Sequence, residues 1–116
     1  MIAVIFEVEP AGEAERAAYL STAAKLSPVL RASDGFVSVE RFESLARPGK
    51  FLSLSFFRDE AAVAAWRRLS EHRAAQAAGR GGLFSDYPLR VAQVLRDYGL
   101  EARDEAPGDS RRIHEA

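Results

Sequence analysis

Five side chains in the second half of the chain are of types that do chemistry in proteins: Trp66, His72, Gln76, Tyr87 and Arg90. The imidazole of His72 titrates near neutral pH and can act as a general base. The guanidinium of Arg90, near the start of an apolar segment, can pair with a carboxylate or stabilise an oxyanion in a pocket. The indole of Trp66 suits the wall of a pocket for a planar ligand. We therefore predict His72 and Arg90 as catalytic residues, and Trp66, Gln76 and Tyr87 as substrate-binding residues.

The same residues also have purely structural interpretations. Trp66 lies on the apolar side of a predicted helix, where a large ring can simply anchor the core. His72 lies in the charge-rich run 70–73, where a histidine is commonly solvated, and Gln76 can be structural as well. A cleft between helices and sheet is the natural pocket of the predicted fold, and three further polar residues are candidates to line it: Tyr19, Ser53 and Ser55.

Metal and phosphate chemistry are not indicated by the sequence. The chain has no cysteine, its two histidines, His72 and His114, are far apart, and no His/Asp/Glu cluster has the spacing of a metal site. The glycine-rich run 79–82 follows a predicted helix, whereas phosphate-binding loops precede one. We expect no cofactor, and we expect these glycines to end the helix.

Composition narrows the class of protein. Sixteen basic against 17 acidic residues leave a net charge of −1, and a balance of this kind argues against a nucleic-acid partner. No apolar run approaches the length of a membrane span, and the first residues resemble a strand rather than a signal peptide. The lack of cysteine fits a reducing compartment. We expect a cytoplasmic protein with neither a membrane nor a nucleic-acid partner.

The hydrophobic pattern predicts the order β-α-β-β-α-β. Pro28 should interrupt the first helix near Leu26, with a short turn restarting behind Ser27 as N-cap. Asp59 is the predicted N-cap of the second helix. The predicted strands are 2–9, 36–45, 51–58 and 88–98, and the predicted helices are 13–31 and 59–78. This order predicts a ferredoxin-like α+β fold, a four-stranded antiparallel sheet with both helices on one face.

The strands are apolar on both sides, which bears on assembly. Leu52, Leu54 and Phe56 alternate with residues that include Phe51 and Phe57, so one apolar face is left without helices. Pairing two sheets face to face in a homodimer would cover it. The alternative is a monomer whose tail folds across the sheet. We predict a domain over residues 1–98 and a charged C-terminal tail over 99–116, whose composition is typical of disorder.

Three stretches together resemble the antibiotic biosynthesis monooxygenase family. They are GFVSVER at 35–41, LSLSFFRDE at 52–60 running on to Trp66-Arg67, and EHRAAQ at 71–76 followed by Gly79-Arg80 and Asp86-Tyr87. The resemblance covers residues 1–98 and implies a dimeric α+β barrel. It also implies oxidation of an aromatic polyketide quinol or anthrone by molecular oxygen without metal or flavin, in a dry pocket that supplies orientation and a base. Trp66 matches the tryptophan that such relatives carry on the second helix.

Two alternatives follow from the same resemblance. A haem-degrading branch pairs the helix tryptophan with a histidine roughly ten residues on and with an asparagine on the first strand. Here the tenth residue after Trp66 is Gln76, and the first strand offers Phe6 and Glu7, so haem ranks below the cofactor-free function. The other alternative is a module of this fold that binds a small molecule, or dimerises, without catalysis.

Overall fold

The computed structural model describes the backbone of residues 1–78, 84–86 and 88–114, and the side chains of residues 1–69 and 88–113. The predicted His72 and Gln76 side chains and all of Tyr87 lie outside the described residues. Within them, neither long helix is apolar enough over its length to span a membrane.

The observed elements follow the predicted order, with additions near the C-terminus. They are β1 (Ile2–Pro10), α1 (Glu13–Arg31), β2 (Phe36–Glu43), β3 (Phe51–Phe57), α2 (Glu60–Ala78), β4 (Phe84–Asp86), β5 (Leu89–Gln93) and α3 (Gly108–His114). The sheet order is β2-β3-β1, with β4 and β5 both pairing along the other edge of β1, and every pairing is antiparallel. This is the predicted ferredoxin-like α+β fold.

The last predicted strand, 88–98, differs from the observed one at both ends. Pairing with β1 already begins at β4, shifts register between Glu9 and Pro10, and continues through β5. It ends at Val94, whose N–H donates to the Met1 carbonyl at 3.0 Å. Because β1 itself starts at Ile2, residues after Val94 lie beyond the reach of this strand, and the apolar pattern there does not extend the ladder.

The predicted interruption of α1 at Pro28 is wrong. The helix runs unbroken for 19 residues with Pro28 inside its last turn. Proline removes one N–H, which would have bonded to the carbonyl of Ala24. Ala24 is exposed, so solvent can satisfy that carbonyl. Arg31 Nε donates to Ser27 Oγ at 3.2 Å, so the predicted N-cap lies within the helix.

The start of α2 is as predicted. Asp59 Oδ1 accepts a hydrogen bond from the Ala62 N–H at 2.9 Å, which satisfies one of the free donors of the first turn. Arg58 binds Asp59 on one side and Asp34 on the other, both at 3.1 Å. These contacts fix the connection between the end of β3 and the start of α2, the helix that carries Trp66.

The two faces of the sheet have different surroundings. The even-numbered residues of β1 face the helices, where Val8 packs with Tyr19 and Phe51. A second cluster joins Leu30 and Ala62, from the two long helices, to Phe57 of β3. The opposite face, here called the open face, carries the odd-numbered residues of β1 and their partners on β3, which include Ile5, Leu52, Leu54 and Phe56.

Candidate functional site

Strand register places two rows of side chains on the helix-side face of the sheet, here called the cleft floor. One row across the sheet is Leu89, Phe6, Ser53 and Arg41, and the next is Val91, Val4, Ser55 and Val39. Residues directly opposite in antiparallel strands share a face, so each row lies on one side. Although they face the helix layer, Leu89 and Val91 are 54% and 48% exposed. The described part of the chain therefore leaves the β5 side of this face accessible as an apolar surface.

Trp66 stands on α2 at the wall of this cleft. Its ring is only partly buried and packs against the Leu30, Phe57 and Ala62 cluster, together with Val4 and Val39. The structural interpretation of Trp66 as a core anchor is therefore correct for part of the ring. The remaining exposed part is what a planar ligand could contact.

Ser55 is a polar group within this apolar floor. Its side chain faces the helix layer between Val4 and Val39, and the residue is only 8% exposed. Among the hydrogen bonds of the described residues, none involves its hydroxyl. Ser55 therefore offers a donor and acceptor for a ligand oxygen, and Ser53 lies two residues away on the same face.

Arg90 lies on the opposite side of the sheet from Trp66. It pairs with Ile5, an open-face position, and its Nη1 donates to Glu7 Oε2 at 2.6 Å. Lys50 Nζ contacts the other Glu7 oxygen at 3.1 Å. Hydrogen bonds from Lys50 and Arg90 hold the pKa of the Glu7 carboxyl below its ordinary value. The structure thus shows the carboxylate pairing that the sequence allowed for Arg90, and it does not bring Arg90 and Trp66 together.

The floor residues Leu89 and Val91 were not predicted as site residues, although the sequence contained the signal. Alternation along β5 puts Leu89 and Val91 on one face and Arg90 on the other. A helix-side floor made of Leu89 and Val91 therefore requires Arg90 to point to the open face. The prediction for Arg90 considered its charge without this alternation.

The described residues also bear on cofactors. Within this part of the chain, no three His, Asp or Glu side chains are grouped so that they could hold a metal ion. On β1 the residue that faces the cleft is the aromatic Phe6, whereas Glu7 points to the open face. The first strand thus presents no polar side chain at the place where the haem alternative needs an asparagine.

The architecture defines an α+β protein whose two long helices pack on one face of its antiparallel sheet. The model of the antibiotic biosynthesis monooxygenase family matches residues 1–78. The chain belongs to this family, as its motifs indicated.

Two curated proteins are similar in sequence. Jasmonate monooxygenase ABM of Pyricularia oryzae is 48% identical over 94 residues, which is 81% of this chain and 43% of that protein. The chain therefore spans less than half of that relative. The uncharacterized protein YqjZ of Bacillus subtilis is 31% identical over 78 residues, which is 67% of each chain.

Solved structures share the fold at low sequence identity. Rv0793 from Mycobacterium tuberculosis aligns with a TM-score of 0.70 at 22% identity, covering 84% of this chain and 98% of that one. A point mutant of SnoaB, a cofactor-independent oxygenase from Streptomyces nogalater, aligns at 0.66 and 11%, covering 83% and 94%. A point mutant of MhuD, with two manganese protoporphyrin IX molecules bound per active site, aligns at 0.68 and 15%, covering 85% and 99%. At these identities the likeness establishes the fold alone.

Proposed function

We propose that this protein is a cofactor-independent monooxygenase that acts on a small planar aromatic or quinol-type compound. The observation that carries the proposal is that the exposed Leu89 and Val91, the partly buried Trp66 and the hydroxyl of Ser55 all lie on the helix side of the sheet. An apolar site with few polar groups suits a flat ligand that bears one or two oxygens. Family membership supports oxygen chemistry.

The chemistry asks little of the protein beyond binding and deprotonation. A hydroquinone or anthrone that loses a proton becomes electron-rich enough to react with molecular oxygen, and one oxygen atom ends in the product while the other leaves as water. The protein excludes water, orients the ring and removes the proton. We assign the base to His72, the stacking wall to Trp66, and a hydrogen bond to a ligand oxygen to Ser55, with Gln76 and Tyr87 as further ligand contacts. Arg90, placed on the open face, takes no part in the cleft of its own protomer.

Oxygen uptake on a panel of hydroquinones and anthrones tests this proposal. The His72→Ala variant should lose about 10²- to 10⁴-fold in rate, which is the usual contribution of a general base. The chain supplies its own matched control, because His114 is the second of its two histidines and lies in the tail. The His114→Ala variant should retain the rate of the wild type. Equal activity of wild type and His72→Ala would refute the assignment of His72 as the base. Inactivity of the wild type on the whole panel would refute the proposed enzymatic function.

A second substrate class is favoured by one observation, the 48% identity with the jasmonate monooxygenase. Jasmonate therefore belongs in the same panel as a separate arm. Turnover of jasmonate without turnover of any quinol would support the monooxygenase activity and refute the planar aromatic substrate.

The haem and non-catalytic alternatives are distinguished by binding. Titration with haemin should give no Soret band that depends on His72. A band lost in His72→Ala would favour haem instead. Binding of a quinol without oxygen uptake would favour a small-molecule binding module.

We further propose a homodimer that pairs through the open face. The Phe42 and Val37 side chains are exposed there, next to the partly buried Leu52, Leu54 and Phe56. An apolar sheet face of this extent is typical of an interaction surface. Sedimentation velocity at micromolar concentration should show a dimer, and a monomer would refute the pairing.

A further inference from the structure

The C-terminal arm, residues 95–114, leaves the sheet where its pairing with β1 ends. The long axis of the molecule measures 56 Å, whereas a 19-residue helix such as α1 spans only about 28 Å. Among the described elements, α3 makes no more than marginal contact with the sheet or the long helices. The end of the arm that carries α3 therefore stands away from the sheet and from the long helices.

The arm is nevertheless folded, and Arg103 holds it together. The Arg103 guanidinium lies 5.3 Å from the centre of the Tyr98 ring, donates to the Gly99 carbonyl at 3.0 Å, and donates to Ser110 Oγ at 2.6 Å. A second link joins Glu105 Oε1 to the N–H of Asp97 at 2.8 Å. One cation thus ties the start of the arm to α3. An arm with these internal bonds has a defined shape, unlike the disorder that its composition suggests.

This defined shape points its large apolar side chains at solvent. Leu95, Leu100 and Ile113 are 79%, 94% and 75% exposed. Three large aliphatic side chains on one short, self-ordered segment are costly to leave in water.

Among the described residues, the open face also carries accessible apolar side chains, which include Val37 and Phe42. A depression at one end of this face lies where the arm departs. It is lined by Met1, Val37, Ser38, Phe56, Val94 and the first arm residues Arg96 and Asp97. The arm therefore begins at the rim of the surface through which we propose that two copies pair. In such a pair each arm starts at the interface and extends past it.

We propose that the arm of each copy packs against the body of a second copy, seating Leu95, Leu100 and Ile113 on apolar surface at the edge of the partner's open face. This inference rests on the pairing through the open face proposed above. In a two-fold symmetric pair both arms are bound at once, because the arm of each copy meets the same patch on the other copy. A second copy is favoured over another protein because both complementary surfaces already lie on one chain and are continuous with each other.

Substitution within the arm tests the proposal in the full chain. Leu100→Glu should weaken the dimer by roughly a hundredfold, since two apolar side chains per dimer would be replaced by charges. Ala102→Glu is the matched control. It adds the same charge two residues away at an exposed site and should change the dissociation constant less than about threefold. Equal effects of the two substitutions on a dimeric wild type would overturn the arm contact and leave the sheet-face pairing standing. A monomeric wild type would overturn both.

A distance measurement tests the contact without altering an apolar residue. Because the chain contains no cysteine, Asp109→Cys provides one attachment site for a nitroxide spin label. Wild-type chains that are enriched in ¹⁵N and carry no spin label are mixed with spin-labelled chains at natural isotope abundance. Only the amides of the ¹⁵N chains are observed, so any broadening is caused by a spin label on the partner chain. Broadening at open-face positions such as Phe42 and Val37 is the expected result. Broadening there only when both labels are on one chain would show the arm folding back on itself, and no broadening in either sample would show it free in solution. Either of those results overturns the proposal.

Discussion

Gly35 and Ala62 approach so closely that a β-carbon on Gly35 would lie 2.6 Å from the Ala62 β-carbon. Gly35 leads into β2, with φ of 82°, and Ala62 lies in the first turn of α2. This contact sets the distance between the edge strand and the helix that carries Trp66. The spacing between α2 and the start of β2 thus depends on the absence of a β-carbon at Gly35.

Gly35→Ala should be strongly destabilising, because it combines an unfavourable positive φ with a steric clash. We expect a loss of about 3 kcal/mol or more in the free energy of unfolding. Gly49→Ala separates the two causes. Gly49 has a φ of 91° and nothing within 4 Å of a built β-carbon, so only the backbone strain of about 1–2 kcal/mol applies. Urea unfolding of both variants measures the difference. Equal losses would show that the helix shifts freely.

Ser55→Ala should change stability by less than about 1 kcal/mol, because its hydroxyl makes no hydrogen bond to the described residues. The same substitution should weaken ligand binding in the cleft. Thermal unfolding without ligand, followed by ligand titration, checks both effects. A loss of more than about 1 kcal/mol without ligand would mean that the hydroxyl has a structural role.

Glu7→Gln should reduce the acid sensitivity of the fold. Since the folded-state pKa of Glu7 is lowered from 4.5, its ionised form is favoured in the folded state. Its contribution is fully present above the unfolded pKa and is lost as pH falls through the folded pKa. Wild type should therefore lose stability relative to Glu7→Gln below about pH 5, with a constant difference above it. Urea midpoints at a series of pH values measure the two curves. Glu40→Gln, an open-face residue with no ion pair to the described residues, should run parallel to the wild type.

Asp59→Ala should lower Tm by roughly 3–5 °C through the loss of the α2 N-cap. Asp34→Ala removes the other carboxylate that binds Arg58 while leaving the cap intact, and it should have a smaller effect because exposed ion pairs contribute little. The comparison separates capping from charge pairing. A Tm for Asp34→Ala as low as that for Asp59→Ala would assign the effect to Arg58 instead of the cap.

Local signals in the sequence predicted most of the fold. The cap at Asp59, the turn that contains Gly49 and the alternation in β3 act within a few residues, so their residue types were enough. Pro28 was misjudged because the penalty for proline depends on whether the carbonyl it leaves unpaired reaches water, and that depends on which side of the helix faces the sheet. The end of β5 was missed because it is set by where β1, a strand distant in sequence, begins.

The candidate site was less predictable, because the positions of its side chains also depend on segments that are distant in sequence. Trp66 could be placed from the helical pattern and from the motif. Alternation along β5 shows only that Arg90 lies opposite Leu89 and Val91, and which of the two faces it takes depends on pairing between β1 and β5. The buried state of Ser55 likewise arises from its neighbours Val4 and Val39 on two other strands. The polar composition of the tail concealed its fold, because one side chain, Arg103, supplies three of the interactions that order it.

The contacts of Arg103 with Tyr98, Gly99 and Ser110 also bear on the kinetics of assembly. Ordering the backbone costs about 1–2 kcal/mol per residue, and in this arm that cost is met before a partner arrives. In the proposed pair, two chains would meet with their arms already folded. No folding step would then be needed during encounter, and association would be limited by orientation. The rate of subunit exchange would then be set by how long each arm stays bound to the other copy. A substitution of Arg103 that loosens the arm should slow association of the two copies and also speed their dissociation.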